Sequence, residues 1–311
     1  MKNHINSTIY DAIIVGGGPA GTSASLYLKR AGLKILIIEK QALGGKVNFT
    51  DSVENYLLGK SVRGMELGDM IKSQITELNI ECKFSTVVSL KKNENLFTIG
   101  LNDNELINSR SVIIATGTKE RLLNVENSDR YQYRGITYCA ICDGPSFKNK
   151  TMAVIGGGDA AIEESLFLSK IAKKLYLIHR RQIFRANFNS VECLKKQENV
   201  EFILDSVVDR VDGDKKIESI TIRNLVNKKY NKIDVDVVFP YIGQIPSSCL
   251  LKNLGVLNDS GFVIIDENFQ TKIKGLYAIG DVVNKKIRQI ATAVNDGCVC
   301  ALNAIKYLQN F

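Results

Sequence analysis

Two glycine-rich segments at a constant offset constrain the fold more than any other feature of this 311-residue chain. The first has the pattern GxGxxG at residues 16–21, and the second has GxGxxA at residues 156–161. Each follows a short apolar run, which is typical of a buried parallel strand, and each precedes a helical pattern. Matching positions lie 140 residues apart (16 and 156, 18 and 158), which indicates two copies of one strand–loop–helix unit.

Such a unit suits a dinucleotide because each part has a physical task. The first glycine permits a tight turn, the second lets the backbone approach the pyrophosphate, and the third lets the helix pack closely, while the helix N-terminus supplies N–H donors. In the first copy the next strand ends at Glu39, which lies 18 residues after Gly21 and can accept hydrogen bonds from ribose hydroxyls. A plain glycine turn is the alternative, but strand, loop, helix, strand and acid occur in the expected order.

The second copy ends differently, in His179, Arg180 and Arg181, with Arg185 four residues further on. Guanidinium groups bind a phosphate through two parallel hydrogen bonds, so these residues suit a 2′-phosphate. We therefore expect a dinucleotide with an unphosphorylated ribose at the first loop and NADPH at the second. The alternative is that the arginines belong to a solvated helix face.

Cys139 and Cys142 form a CxxC pair between the two loops, and Asp143 follows directly. A thiolate is the nucleophile in disulfide exchange, and a neighbouring acid can return a proton to the leaving sulfur. The alternative is a zinc site, which needs about four ligands. The chain has no second CxxC and only two histidines, so we expect no metal.

The order of the patterns predicts an α/β protein with two Rossmann-like three-layer domains, the second inserted into the first. The first domain comprises residues 1–118 plus 247–311, because the tail has no GxGxxG of its own, and the second comprises residues 119–246. Residues 42–58 are predicted to be loop. Other predicted elements are a hairpin of strands 86–90 and 96–99, a strand at 262–266 and a helix at 292–308.

Composition narrows the function classes. The formal charge is +8, but basic and aromatic residues do not interleave as in nucleic-acid-binding proteins. No apolar run approaches the roughly 18 residues of a membrane helix. The seven cysteines are an odd number, which favours reduced thiols with one functional pair. We expect a cytoplasmic protein that binds neither nucleic acid nor membrane.

Several motifs together resemble those of bacterial low-molecular-weight thioredoxin reductases, which are class II pyridine nucleotide-disulfide oxidoreductases. They are GGGPAG (16–21), ATG (115–117), CAICDG (139–144), GGGDAAIEE (156–164), HRRQIFRA (179–186) and AIGDV (278–282), followed by Arg288 and Gln289. The resemblance covers nearly the whole chain. It implies FAD in the first domain and NADPH in the inserted one.

The resemblance also implies which residues contact each cofactor, with Asp281 on the FAD sugar chain and Arg288 and Gln289 around the flavin. For FAD they are Gly16, Gly18, Pro19, Ala20, Gly21, Glu39, Lys40, Gly45, Lys46, Asn55, Val88, Ala115, Gly117, Gly280, Asp281, Arg288, Gln289 and Ile290. For NADPH they are Gly156, Gly158, Asp159, Ala160, His179, Arg180, Arg181, Arg185 and Gly243.

The mechanism implied by the resemblance passes electrons from NADPH to FAD, then to the Cys139–Cys142 disulfide, then to thioredoxin. Cys142 would be the sulfur that faces the flavin, Cys139 would attack thioredoxin, and Asp143 would be the acid–base group. The inserted domain would rotate about linkers near residues 118 and 246. A homodimer is expected on the same grounds.

Some positions depart from the pattern and leave flavin tuning and partner choice open. This chain has Leu43-Gly44-Gly45-Lys46 where members commonly have Pro-Gly-Gly-Gln, and Leu57-Leu58 where they usually have Pro-Gly. The connection of residues 122–134 is also atypical. Three other functions stay open: a reductase of this fold with another protein acceptor, one driven by ferredoxin, and a non-catalytic nucleotide-binding redox sensor.

Overall fold

The computed structural model describes residues 4–50, 52–53, 55–57, 61–132 and 134–311. The chain divides into two compact units, a flanking unit of Met1–Lys119 with Ile245–Phe311 and an inserted unit of Glu120–Gln244. Leu58, part of the departure noted above, lies outside the described residues. Among the helices in the described ranges, none combines the length and the apolar character that crossing a membrane requires.

The flanking unit begins with strands that alternate with two long helices. In chain order these elements are β1 (His4–Val15), α1 (Pro19–Arg30), β2 (Ile35–Glu39), β3 (Ser52–Val53), β4 (Val62–Arg63), α2 (Gly64–Glu77), β5 (Glu81–Phe84), β6 (Val87–Asn93), β7 (Leu96–Leu101), β8 (Glu105–Ile114) and β9 (Thr118–Glu120). A 3-10 turn at Gly45–Phe49 follows β2.

The inserted unit repeats the alternation and adds an antiparallel sheet. Its elements, up to the return crossing, are α3 (Ser128–Tyr131), α4 (Ala140–Asp143), β10 (Thr151–Gly156), α5 (Asp159–Ser169), β11 (Lys174–Ile178), α6 (Phe188–Lys195), β12 (Val200–Ile203), β13 (Ser206–Gly213), β14 (Ile217–Asn224), β15 (Tyr230–Asp234), β16 (Val237–Tyr241) and β17 (Gln244–Pro246). The chain then completes the flanking unit with β18 (Leu276–Ala278) and α7 (Ile290–Leu308). Further 3-10 turns lie at Gly144–Phe147, Cys249–Leu254 and Gly280–Val282.

The main sheet of the flanking unit has the order β5-β2-β1-β8-β7-β6, and β18 pairs with the end of β8. Its central strands are parallel and buried on both faces, which explains their continuous apolar runs. Helices α1, α2 and α7 pack on one face of the parallel strands. The β6–β7 hairpin continues the same hydrogen-bonded sheet, but its side chains pack against the other face of the parallel strands. The result is three layers: helices, parallel strands and antiparallel strands.

The inserted unit has the same layering. Its parallel sheet has the order β12-β11-β10-β16, and its antiparallel sheet has the order β13-β14-β15. Along β10 the side chains alternate, so that Met152 and Val154 pack with α5 and α6, whereas Ala153 and Ile155 pack with the antiparallel strands. The prediction of an α/β fold with two Rossmann-like units is therefore confirmed.

The 140-residue repeat holds in register as well as in sequence. Val15 pairs with Ile38 in the flanking unit, and Ile155 pairs with Ile178 in the inserted unit, both pairs being offset by 140. The strand, loop, helix and second strand of one copy therefore match those of the other when 140 is added to each residue number. In both copies the loop begins at the carboxyl end of the first strand.

Helices α1 and α7 pack closely because small residues line their contact. A Cβ added to Gly297 would lie 2.3 Å from the backbone oxygen of Ala20 and 2.7 Å from Cβ of Ser23. The Ser23 hydroxyl donates to the backbone oxygen of Val294 at 2.7 Å, which satisfies a polar group inside the contact. The N-terminal half of α1 is therefore held where the first glycine loop ends.

Two predicted elements differ in the structure. The strand predicted at 262–266 is wrong, because Val263 N bonds to Val282 O, Ile264 N to Val256 O and Asp266 N to Gln270 O, so three separate segments share its backbone. The loop predicted at 42–58 contains the 3-10 turn and β3. The predicted hairpin and C-terminal helix are confirmed, with longer bounds.

We expect Gly297→Ala to destabilise the protein by about 1–3 kcal/mol, the range for overpacking a tight contact. At an exposed helical glycine the same change would instead raise the free energy of unfolding, because alanine restricts the unfolded chain more than glycine does. Urea unfolding monitored by circular dichroism measures the difference. Asn295→Ala, on an exposed position of the same helix, serves as the control and should be close to neutral. An unchanged midpoint for Gly297→Ala would contradict the close α1–α7 packing.

Candidate functional site

Cys139 and Cys142 form a disulfide, with their Cα atoms 5.3 Å apart. Cys139 caps the N-terminus of α4, and its Sγ accepts from Cys142 N at 3.2 Å. Cys142 is exposed and Cys139 is half-buried. The pair therefore occupies one turn of helix and remains accessible from solvent.

The turn that carries the disulfide is held by a hydrogen bond to a residue of the parallel sheet. Ala140 is buried, and its N–H donates to the phenol oxygen of Tyr241, the last residue of β16, at 3.2 Å. Burial raises the pKa of Tyr241 far above its ordinary value, and the charge of Glu164 adds to this effect. The phenol is therefore neutral, and α4 begins at a fixed point over the end of β16.

Asp143 ends α4 and is held on two sides. Its N–H donates to Cys139 O at 3.1 Å, and its Oδ2 accepts from the hydroxyl of Thr137. Thr137 is buried, and its own N–H donates to Val238 O on β16 at 3.0 Å. The predicted proton donor thus lies in the same turn as both sulfur atoms.

The first glycine loop is shaped by backbone approaches that only glycine allows. Gly16 has φ of +111°, and a Cβ there would lie 2.3 Å from Ala115 O. A Cβ on Gly21 would lie 2.0 Å from Gly16 O. Gly18 differs, because a Cβ on it would meet no atom within 4 Å. It precedes α1 without a side-chain cap, so no cap side chain satisfies the first-turn N–H groups of this helix.

The second loop has the same construction. Gly156 has φ of +153°, and a Cβ there would lie 2.5 Å from Tyr241 O. Gly158 is open in the same way as Gly18, and it precedes α5 without a side-chain cap. Asp159, in the first turn of α5, accepts from Asn187 N at 2.9 Å, and Ala160 beside it is exposed. Among the described residues, both helices therefore begin without a side-chain cap, as an anion-binding N-terminus requires.

The residues that end the second strand of each copy support their glycine loops. Glu39 accepts from Gly17 N at 2.7 Å and from Gln41 N at 2.9 Å. At the matching positions, the ring of His179 lies under Gly157, so close that a Cβ on that glycine would be 2.2 Å from Cε1. A carboxylate has about four lone-pair sites, so Glu39 retains acceptor capacity for ribose hydroxyls.

His179 is a packing residue rather than an exposed cation. It is buried, stacks on Phe184 with ring centroids 5.1 Å apart, and contacts Ile183 O at 3.2 Å through Nε2. Its pKa is lowered by burial and by the charges of the neighbouring arginines, although the Ile183 carbonyl opposes the shift. The imidazole is therefore neutral at pH 7, and the predicted cationic role falls to the arginines.

Arg180, Arg181 and Arg185 all have exposed side chains. The N–H of Arg185 donates to Gly157 O at 2.8 Å, which brings its backbone back to the loop. Three exposed arginines thus follow the second strand of this copy, whereas the Glu39 carboxylate ends the second strand of the first copy.

Several predicted FAD residues beyond the first loop lie in three segments, two of which contact that loop. A Cβ on Gly45 would lie 3.1 Å from the Cα of Gly18, and one on Gly280 would lie 2.9 Å from Cβ of Ala20. The Nζ of Lys46 donates to the Thr118 hydroxyl at 3.2 Å, just beyond Ala115 and Gly117.

The third segment precedes and begins α7. Arg288 donates to Asp281 O and Val283 O, each at 3.3 Å. Asn55 donates to the side chain of Gln289 at 3.1 Å. Ile290, the first residue of α7, packs on the cluster of Val47, Val53, Val62 and Leu67.

A few predicted residues have no such contact with the loops. Lys40 is exposed next to Glu39, Val88 is exposed on β6, and Gly243 is exposed with φ of +121° after β16. Pro19 occupies the first turn of α1, where its missing N–H costs nothing.

Sequence reasoning missed a buried ion pair behind Asp281. Lys285 Nζ lies 2.6 Å from Asp296 Oδ2, and that oxygen also accepts from Gly280 N at 3.0 Å. Burial raises the pKa of Asp281, and the charges of Lys285, Lys46 and Arg288 oppose that rise. The available signal was Asp296 itself, an acid on the apolar face of a long helix, because a buried charge requires a partner.

Comparison with known proteins adds four findings. The model of the pyridine nucleotide-disulphide oxidoreductase family matches residues 10–297. The chain is 38% identical to the thioredoxin reductase of Ureaplasma parvum over 305 residues, covering 98% of each. It is 40% identical to that of Mycoplasma genitalium over 298 residues, covering 96% of this chain and 95% of the relative. The crystal structure of Lactococcus lactis thioredoxin reductase superposes with a TM-score of 0.95 at 35% identity, covering 97% of this chain and 100% of that one.

We expect His179 to titrate below the ordinary histidine pKa of about 6.5, because its ring is buried beside three arginines. A lowered folded-state pKa means that the unfolded chain takes up the proton first, so His179 costs stability as pH falls below about 6.5. Imidazole NMR measures the titration directly, since the chain has two histidines and His4→Gln assigns the other. A pKa at or above 6.5 would show that the ring is not buried under Gly157.

Proposed function

The chain belongs to the pyridine nucleotide-disulphide oxidoreductase family, and we propose that it acts as an NADPH-dependent thioredoxin reductase. One observation carries the proposal. A disulfide with an adjacent carboxylate lies in the same unit as a nucleotide loop surrounded by arginines, and a second, acid-edged loop lies in the other unit. Those parts are what a reductase needs to take electrons from a phosphorylated nicotinamide cofactor and deliver them through sulfur.

FAD fits the flanking unit. The N–H groups at the start of α1, which no cap side chain satisfies, suit its pyrophosphate, and Glu39 suits its ribose hydroxyls. Gly45 and Gly280 border the same loop, Arg288 contacts Asp281, and these segments would enclose the rest of the molecule. We assign Ala115, Gly117 and Asn55 to the same site.

NADPH fits the inserted unit. Gly156 and Gly158 leave the N-terminus of α5 open for the pyrophosphate, as in the first loop. Arg180, Arg181 and Arg185 would hold the 2′-phosphate through charge-assisted hydrogen bonds. His179 would contribute by supporting the loop, and not by contacting the phosphate.

The chemistry at sulfur belongs to the chain's own residues. When bound, FAD takes a hydride from NADPH and passes the two electrons to a disulfide. Cys142 would be the sulfur that faces the flavin, and Cys139 would be the nucleophile toward thioredoxin. The Asp143 carboxyl, held in the same turn, would return a proton to the leaving sulfur.

The order of these steps requires motion, since the disulfide and the NADPH loop belong to one unit and must reach one flavin in turn. Both chain crossings run through the short β9–β17 ladder, at Thr118–Glu120 and Gln244–Pro246. We place the pivot of the inserted unit at these two segments.

The cellular setting is also part of the proposal. Cys82, Cys193, Cys249, Cys298 and Cys300 are free thiols in the structure, which is ordinary for the reducing cytosol. We therefore place the protein in the cytoplasm, and we propose a homodimer on the strength of the family resemblance.

We expect the purified protein to be yellow, to lose its flavin absorbance with NADPH under anaerobic conditions, and to reduce thioredoxin with NADPH. Cys139→Ser should keep the bleaching but lose thioredoxin reduction, because the attacking sulfur is gone. Cys193→Ser removes an exposed thiol from the same unit and is the matched control. Bleaching by ferredoxin but not NADPH would refute the electron donor, and full turnover by Cys139→Ser would refute the role of that sulfur.

We expect Arg180→Ala with Arg181→Ala to raise the Michaelis constant for NADPH about tenfold or more and to leave that for NADH nearly unchanged. Each lost hydrogen bond to a charged phosphate is worth about 1.5–3 kcal/mol, and NADH has no 2′-phosphate. Lys215→Ala with Lys216→Ala removes the same charge from an exposed turn of the unit and controls for steering. An equal rise for both cofactors would show that the arginines do not read the 2′-phosphate.

A further inference from the structure

We propose that Thr137 is a positioning residue for Asp143, and that its hydroxyl holds the carboxyl where it can protonate the sulfur leaving the substrate. This inference rests on the proposed function, because it concerns the acid of the same exchange reaction. Thr137 does not belong to any motif used above. Its connection to the reaction is visible only in the folded chain.

Thr137 is held in place by the parallel sheet of the inserted unit. Its side chain is buried, and its N–H donates to Val238 O at 3.0 Å. The two residues before Thr137 are held as well. Gly135 O accepts from Val238 N at 2.7 Å, and Ile136 is fully buried. The segment is thus added to the edge of β16, so the hydroxyl is supported by the sheet.

The carboxyl of Asp143 has two connections that together set its direction. The backbone bond to Cys139 O fixes its Cα relative to the sulfur atoms, and the Thr137 hydroxyl binds Oδ2. Oδ1 has no hydrogen bond to a described residue. With Oδ2 engaged, Oδ1 is the oxygen left to carry and deliver a proton.

The step balances as an ordinary thiol–disulfide exchange. The Cys139 thiolate forms a bond to one sulfur of the substrate disulfide, the substrate S–S bond breaks, and Asp143 protonates the sulfur that leaves. The Cys142 thiolate then displaces the second substrate sulfur and closes the Cys139–Cys142 disulfide. The dithiol loses two electrons and two protons in all. The proton of Cys139 passes to Asp143 as its thiolate forms and then to the first leaving sulfur, whereas solvent takes up the proton of Cys142 and protonates the second leaving sulfur.

The test uses pre-reduced full-length protein and two small disulfides in single-turnover mixing, with closure of the Cys139–Cys142 disulfide followed by alkylation and mass spectrometry. Bis(2-hydroxyethyl) disulfide releases an ordinary thiol, which leaves better when protonated. 5,5′-Dithiobis(2-nitrobenzoate) releases a stable thiolate, which needs no acid. A positioning role therefore affects the first reaction and spares the second.

We expect Thr137→Val to slow the reaction with bis(2-hydroxyethyl) disulfide about tenfold, within the range of acid–base contributions, and Thr137→Ser to restore it. In the background of Asp143→Asn, Thr137→Val should cause no further loss, because the two residues act as one unit. Thr137→Ala removes the same hydroxyl and replaces the valine variant if that one fails to fold.

Three results would overturn the inference: wild-type rates for both hydroxyl-free variants, equal slowing with both disulfides, or independent losses in the double variant. The last two would indicate that Thr137 supports only the shape of the turn. Thioredoxin takes no part in these reactions. A wild-type protein that fails to reduce thioredoxin would therefore refute the proposed function while the coupling between Thr137 and Asp143 could still be measured.

Discussion

The contact between a strand end and a glycine loop is the constraint on which the rest of the structure depends. In each unit the backbone oxygen of one residue comes so near the first glycine that no Cβ fits: Ala115 O at Gly16, and Tyr241 O at Gly156. This approach sets the path of the loop into the following helix. A side chain at either position would clash with backbone and displace the loop.

Because this constraint is local, much of the fold could be predicted. Positive-φ glycines, apolar runs and helix starts are close in sequence, and the repeat made them recognisable twice. The strand at 262–266 was wrong for the opposite reason. Its apolar run has strand character, but the partners of Val263, Ile264 and Asp266 come from three separate segments, which no local pattern reveals.

The residues of the candidate site also divide into those that local sequence predicts and those that depend on tertiary packing. The positions of Glu39 and of the arginines could be predicted, because they lie at or just after the end of the second strand of each copy. The Lys285–Asp296 pair, the Thr137 hydroxyl and the phenol of Tyr241 could not, since each meets its partner through tertiary packing. His179 shows the limit of prediction from such positions. It occupies the position matching Glu39, yet its ring turns under Gly157, because a buried imidazole can pack there without carrying charge.

Within the inserted unit, β16 contacts both the second glycine loop and the turn that carries the disulfide. The backbone oxygen of Tyr241 lies against Gly156 of the nucleotide loop, and its phenol receives the N–H of Ala140 at the start of the disulfide turn. Three residues earlier, Val238 holds the segment of Thr137, whose hydroxyl binds Asp143. One strand therefore fixes the nucleotide loop, the disulfide and the acid relative to each other.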